Sequence, residues 1–351
     1  MPSMRMIAAV LGVAAILGAT PASPGADRHY WIDQLGLPRA WRLSQGDGVT
    51  VGVLDTGVDG GLPDLAGAVL PGRAFPDLGN GVDDAWGHGT AVAMLIAGRG
   101  RSGATTGVAP HAMILPVTTA GTAETVEDAI RWLVDQHVKV INLSVGRQGT
   151  AGGNASSAFD AALRYAGERD VVVVAAAGNS AEDAGVVSPA NRPGVVAVSA
   201  VDRSGAFRPD ISVEGPQVAL SAPGADLVTA TEVRTGTLGR DGTSYSAALV
   251  TGVIALVRAR FPRLGAAEVV RLVESSARDA GAPGRDPRYG YGVVDPVAAL
   301  SSAVPADPLA TRAAERTSRG WGWVLPVAGG VAVVVAAAGA ALVGLRRRSS
   351  A

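Results

Sequence analysis

The residues with chemistry to offer are few and far apart. From Gly239 to Gly252 the chain reads GRDGTSYSAALVTG, a glycine-flanked Thr-Ser-Tyr-Ser that runs into small and apolar residues. Hydroxyl residues on a turn that opens a buried helix can present an oxygen to a substrate where backbone N–H groups converge. The same residue types also serve as ordinary helix N-caps. Far upstream, Asp55 ends the apolar run of VGVLDTGVDG, and a carboxylate partly withdrawn from water there needs a donor to keep its charge. His88 stands between Gly87 and Gly89 in DDAWGHGTAVAMLIAG, at the mouth of an apolar helix. A histidine so placed can act as a base near neutral pH if a carboxylate fixes its tautomer, and Ser244 is the weak nucleophile that such a base would activate. Asn179, after a glycine at the end of VVVVAAAGN, is a neutral amide donor that can face a developing alkoxide.

These side chains need a frame to bring them together. Between about His29 and Leu300 short β-branched runs alternate with longer helical patterns, which predicts an α/β domain around a mostly parallel sheet. Strands are expected at Val49–Asp55, Ala112–Val117, Val138–Ser144, Val171–Asn179 and Gly194–Val201, nearly all apolar and so covered on both faces. The stretch Thr125–His137 carries Val126, Ala129, Ile130, Leu133 and Val134 on one stripe and reads as a surface helix. The stretch Ser246–Ala259 is apolar almost all round and reads as a central buried helix. Asp55, the Asn142 and Ser144 pair, and Asn179 close three different strands. Sites in open α/β sheets form beyond such carboxyl ends, although strand ends are also simply where polar residues begin.

Composition bounds the function class. The chain has 351 residues, 48% hydrophobic and 17% charged, with a formal net charge of -1 and no cysteine. That charge gives no reason to expect nucleic acid as a partner, and disulfides, thiol nucleophiles and cysteine metal sites are excluded. Residues 1–22 combine Arg5, the apolar run Met6–Ala19 and Thr20-Pro21-Ala22, the pattern of a secretory signal peptide; an uncleaved anchor is the lesser reading. Val324–Leu345 has no charged residue, about 22 residues or ~33 Å of helix, enough to span a bilayer. Trp321 and Trp323 suit an interfacial belt and Arg346, Arg347 and Arg348 follow the span, which puts the C-terminus in the cytoplasm and the body outside. Residues 301–320, small, charged and Pro-containing, read as a tether.

The motifs VLDTGVD, GHGT, GVAP, INLSVG, AAAGN, SPANRPGVVAVSAVD, SAPG and DGTSYSAA stand in this order from about Ala40 to Leu300. In that order they resemble the signatures of the subtilisin-like serine proteases. More narrowly, the chain resembles the mycosins, membrane-anchored subtilases associated with type VII secretion. Ala91 in HGTAVA, Tyr245 after the reactive serine, YGYGVVDPVAAL closing the domain, and the tail anchor carry that likeness. The resemblance implies a subtilisin-like α/β peptidase domain over 42–300, preceded by a short extension at 23–41 and followed by the linker, a transmembrane helix at 321–345 and a tail at 346–351. It implies Asp55 as orienting carboxylate, His88 as general base and Ser244 as nucleophile. It also implies Asn179 as an oxyanion donor beside the Ser244 N–H, and Ser144, Val145 and Gly146 as an edge for extended substrate backbone. Ser246 lies about 200° further round the helix and points away.

The likeness has gaps. Ala248 stands where many subtilases have proline, Ser246 where alanine is usual, and Met94 where glycine is usual, which puts close packing in that helix in doubt. Only a short segment precedes the matched body, so control by a large removable prodomain is not expected. His29, His111 and His137 read as structural or surface residues. Asp83 and Asp84 could bind a cation or flank the substrate cleft, but with no metal-loop pattern they read first as solvated loop carboxylates. No cofactor or metal is implied, with structural calcium left open. The expected activity is a membrane-anchored extracytoplasmic serine endopeptidase acting on protein or peptide substrates beside a type VII secretion complex. The alternative is a mainly structural subunit whose proteolysis is dispensable.

Overall fold

The computed structural model describes residues 29–302 apart from 76–79, 85, 104, 120–122, 145–156, 180–184 and 230–240. The β-branched runs form β1 (Thr50–Asp55), β3 (Met113–Thr119), β4 (Val140–Leu143), β5 (Val172–Ala176) and β6 (Val195–Val201). Two further strands join them, β2 (Arg73–Phe75) and β7 (Val218–Pro223). The sheet order is β2-β3-β1-β4-β5-β6-β7, and every pairing is parallel. Side chains alternate across a strand, so Val51 and Val53 enter the core on one face and Leu54 the core on the other; Val172 and Val174 part from Val173 and Ala175 in the same way. Both faces are covered, which is why the strands read as unbroken apolar runs.

Helices α1 (Tyr30–Gln34), α2 (Leu37–Ala40) and α3 (His88–Ala97) contribute to the first core. Helices α4 (Ala123–Asp135) and α5 (Ser157–Glu168) cover the opposite face through Ile130, Leu133, Phe159 and Ala162. Then come α6 (Thr243–Arg260), α7 (Ala266–Ser275) and α8 (Pro296–Ser301), on the first face again. The segment read as an extension ahead of the body is packed into it, with Trp31 and Leu37 fully buried. Met94 is fully buried in α3 as well, so the thioether is accommodated.

Helix α6 is the central element. It is buried on all sides from Thr243 to Arg258 and packs against β4, β5, β6, β7 and α3. Thr251 Oγ1 donates to Asn142 Oδ1 at 3.0 Å, and Asn142 Nδ2 donates to Ser144 Oγ at 2.7 Å, so the buried amide of β4 is paired at both ends. At the far end Arg258, only 4% exposed, makes a two-nitrogen contact with the Asp170 carboxylate at 3.0 and 3.1 Å. Asp170 also accepts from Ala266 N at 2.7 Å. Burial pushes the Asp170 carboxyl up, but the hydrogen bonds and charge of Arg258 outweigh it and hold it below the usual carboxylate range. A depressed carboxylate contributes stability above its unfolded pKa and loses it as pH falls through the lower folded value. Asp170→Asn, which tolerates the same left-handed backbone (φ 63°), is expected to cost about 1 kcal/mol at neutral pH, the carboxylate being 42% exposed and so screened by solvent. Denaturant melts of the two forms should converge in acid.

The described residues lie in a compact unit ending at Ser302. The expected signal peptide at 1–22, most of the linker and the span at 321–345 lie outside the described residues, and among the described residues no helix is long and apolar enough to cross a membrane.

Candidate active site

Two elements meet where β1 ends. Asp55 is its last residue and His88 is the first residue of α3. His88 Nδ1 lies 2.6 Å from Asp55 Oδ1; the carboxylate side chain is 1% exposed and the imidazole 26%. Asp55 Oδ1 also accepts from Thr56 N at 2.7 Å. A buried carboxylate on Nδ1 leaves Nε2 as the ring nitrogen available to take a proton. The turn before α3 closes on Gly87 in a left-handed conformation (φ 73°), and Gly89 allows the helix to touch β1: a Cβ there would sit 2.1 Å from Gly57 O and 2.9 Å from Asp55 Cβ. Gly89→Ala must therefore move α3 off Asp55. The expected result is about 1–3 kcal/mol of lost stability and a roughly 10²-fold loss of turnover from misplacement, checked by melting and by steady-state kinetics.

Ser244 is the second residue of α6 and is 6% exposed. The N-cap position is Gly242, which has no side chain to offer. Asn179 caps the helix from outside: its Oδ1 accepts the Thr243 N–H at 2.8 Å and the Thr243 hydroxyl at 2.6 Å. Gly178 N donates to Thr243 Oγ1 at 3.2 Å, which completes the junction between β5 and α6. With its oxygen committed to Thr243, Asn179 keeps its amide nitrogen close to the residue before the helix: a Cβ built on Gly242 would sit 3.3 Å from Asn179 Nδ2. Ser246, by contrast, is fully buried and donates to the carbonyls of Ala222 and Pro223, each at 3.1 Å. Tyr245 packs its ring 5.5 Å from that of His88.

Among the residues expected at a substrate edge, Ser144 follows β4 with its hydroxyl bonded to Asn142, while Val145 and Gly146 lie outside the described residues. His111 pairs with Asp47 at 2.9 Å on the surface, His137 is exposed beyond α4, and His29 stacks edge-on to Trp31. The reading of Asp84 as a solvated loop carboxylate is corrected by the structure. Asp84 is half-buried and accepts hydrogen bonds from Thr56 Oγ1, Trp86 N, Gly87 N, Thr90 N and Thr90 Oγ1. Its neighbour Asp83 is exposed. Thr56 and Thr90, the two threonines on Asp84, are site residues that the sequence marks only by their nearness to Asp55 and His88. Among the described residues no group of three or more histidine and carboxylate side chains is arranged to hold a metal ion.

The model of the subtilase family, Peptidase S8, matches residues 46–292. Mycosin-3 of Mycobacterium tuberculosis is 32% identical, over 85% of this chain and 77% of its own length. The structure of the MycP3 protease from the type VII (ESX-3) secretion system superposes with a TM-score of 0.69 at 33% identity, covering 81% of this chain and 90% of that one. A chain of the periplasmic assembly from the ESX-5 inner membrane complex gives 0.71 at 30% identity, covering 83% and 88%. With a parallel sheet of this order, a histidine bonded to a carboxylate at its carboxyl edge and these relatives, the chain belongs to the subtilase family of serine endopeptidases, and within it to the mycosin type.

Proposed function

We propose that Asp55, His88 and Ser244 are the catalytic triad of a peptide-bond hydrolase and that Asn179 and the Ser244 N–H receive the oxyanion. The observation that carries this reading is the 2.6 Å contact between His88 Nδ1 and Asp55 Oδ1, which orients the imidazole as a base. Ser244 Oγ attacks the scissile carbonyl carbon while His88 takes its proton. The alkoxide draws hydrogen bonds from the Asn179 amide, and the leaving amine departs with the proton from His88. An acyl-enzyme remains, and water activated by His88 releases it by the same steps. Ser144, Val145 and Gly146 are assigned to pair with the extended substrate backbone. A serine-directed fluorophosphonate is expected to label Ser244, with labelling lost as acid protonates His88; full labelling of Ser244→Ala would sink the assignment.

The domain is assigned to the extracytoplasmic side of a membrane, delivered by residues 1–22 and held by a helix over 321–345, beside a type VII secretion complex. The likeness to a chain of the ESX-5 periplasmic assembly supports that placement, and it equally favours a second reading in which the domain chiefly stabilises such a complex. In a deletion strain, wild type is expected to restore secretion and Ser244→Ala to fail. Rescue by the variant would assign the structural role.

A further inference from the structure

We propose that Asp84 is a positioning residue that fixes the Asp55–His88 pair by cross-linking the exit of β1 to the first turn of α3; the proposal rests on the triad reading above. Two threonine hydroxyls act as matching relays. Thr56 Oγ1 accepts the Gly89 N–H at 3.0 Å and donates to Asp84 Oδ1 at 2.7 Å. Thr90 Oγ1 accepts the Asp59 N–H at 2.9 Å and donates to Asp84 Oδ2 at 2.5 Å. Each relay thus joins the 55–59 segment to α3 through the same carboxylate, in opposite directions. Asp84 also takes the N–H groups of Trp86, Gly87 and Thr90 directly, at 3.2, 2.9 and 2.8 Å.

The placement matters because of what it brackets. Gly87, Gly89 and Thr90 surround His88 in the chain and are tied to Asp84 directly or through Thr56, while Thr56 follows Asp55 and gives its N–H to that carboxylate. One side chain therefore holds the backbone on either side of the imidazole and the backbone next to its carboxylate partner. Gly87 and Gly89 have no side chains with which to hold themselves, and the helix start carries N–H groups without intrahelical acceptors and a positive dipole end that favour an anion. Five donors converge on the two oxygens of this one side chain, three on Oδ1 and two on Oδ2. A charge-assisted bond of 2.6 Å depends on placement within about 0.5 Å.

The test uses the full chain, the fluorophosphonate and a peptide substrate. Asp84→Ala is expected to lower both the rate constant for Ser244 labelling and kcat by about 10²-fold per folded molecule, with KM little changed. Thr56→Val keeps the shape and removes one relay, and is expected to lose roughly 10-fold; Thr56→Ser, which restores the hydroxyl, is expected to recover the wild-type rate. If Asp84→Ala does not fold, the Thr56 pair decides. Wild-type labelling rates per folded molecule in Thr56→Val, or in a folded Asp84→Ala, overturn the clamp even if Tm drops, since that is the pattern of a purely structural contact. Persistent labelling of Ser244→Ala overturns the triad reading and the clamp with it.

Discussion

Removing the Ser244 hydroxyl is expected to lower peptide hydrolysis on the order of 10⁶-fold, the scale measured for the corresponding change in subtilisin, and adding His88→Ala is expected to cost almost nothing further. On the triad reading the two side chains act as a unit: a base bound to Asp55 at 2.6 Å has nothing to activate once the hydroxyl is gone. Stability should be unaffected, because alanine is a better helix former than serine at the second position of α6. The measurement is kcat/KM for both single variants and the double. Losses that multiply would mean that His88 and Ser244 serve different steps.

Asn179 gives the second large effect, and its geometry separates two roles that one alanine would merge. Asn179→Ala deletes the proposed oxyanion donor, expected to cost about 10²–10³ in kcat, and also the cap on Thr243, expected to cost about 0.5–2 kcal/mol. Asn179→Asp keeps an oxygen for Thr243 and places a second oxygen where the N–H groups stood. It should therefore keep the melting temperature and still lose turnover. If Asn179→Asp hydrolyses peptide at the wild-type rate, the amide is a cap alone and the oxyanion is met elsewhere.

Much of the frame was readable because buried parallel strands declare themselves: the runs around Val53, Val174 and Val198 are apolar on both faces and β-branched, and the structure puts strands there. The two strands that escaped notice had weak signals. β2 is only Arg73-Ala74-Phe75, and β7 mixes Val218 and Leu220 with alanine, serine and proline, so pairing with β3 and β6 defines them more than propensity does. Asp84 was misread for a similar reason. Two of its donors come from a hydroxyl 28 residues away in the chain and from a helix start whose N–H groups leave no mark on the sequence. The cap on α6 likewise comes not from the local Thr and Ser but from Asn179, 64 residues upstream. What sequence patterns miss here is polar pairing across long chain separations.

The buried position of α6 bears on when the enzyme becomes dangerous to its surroundings. Asp55 and His88 belong to the first part of the body, but the proposed nucleophile Ser244 rides on a helix that packs against α3 and against strands as late as β7, which ends at Pro223. Its docking requires those strands to be in place, and contacts across such separations close late because loop closure must come first. On the proposed reading, a chain emerging from its N-terminus has no seated nucleophile until the last of these strands has formed. On that reading hydrolytic capacity waits on the seating of α6, and folding order itself acts as the safety catch.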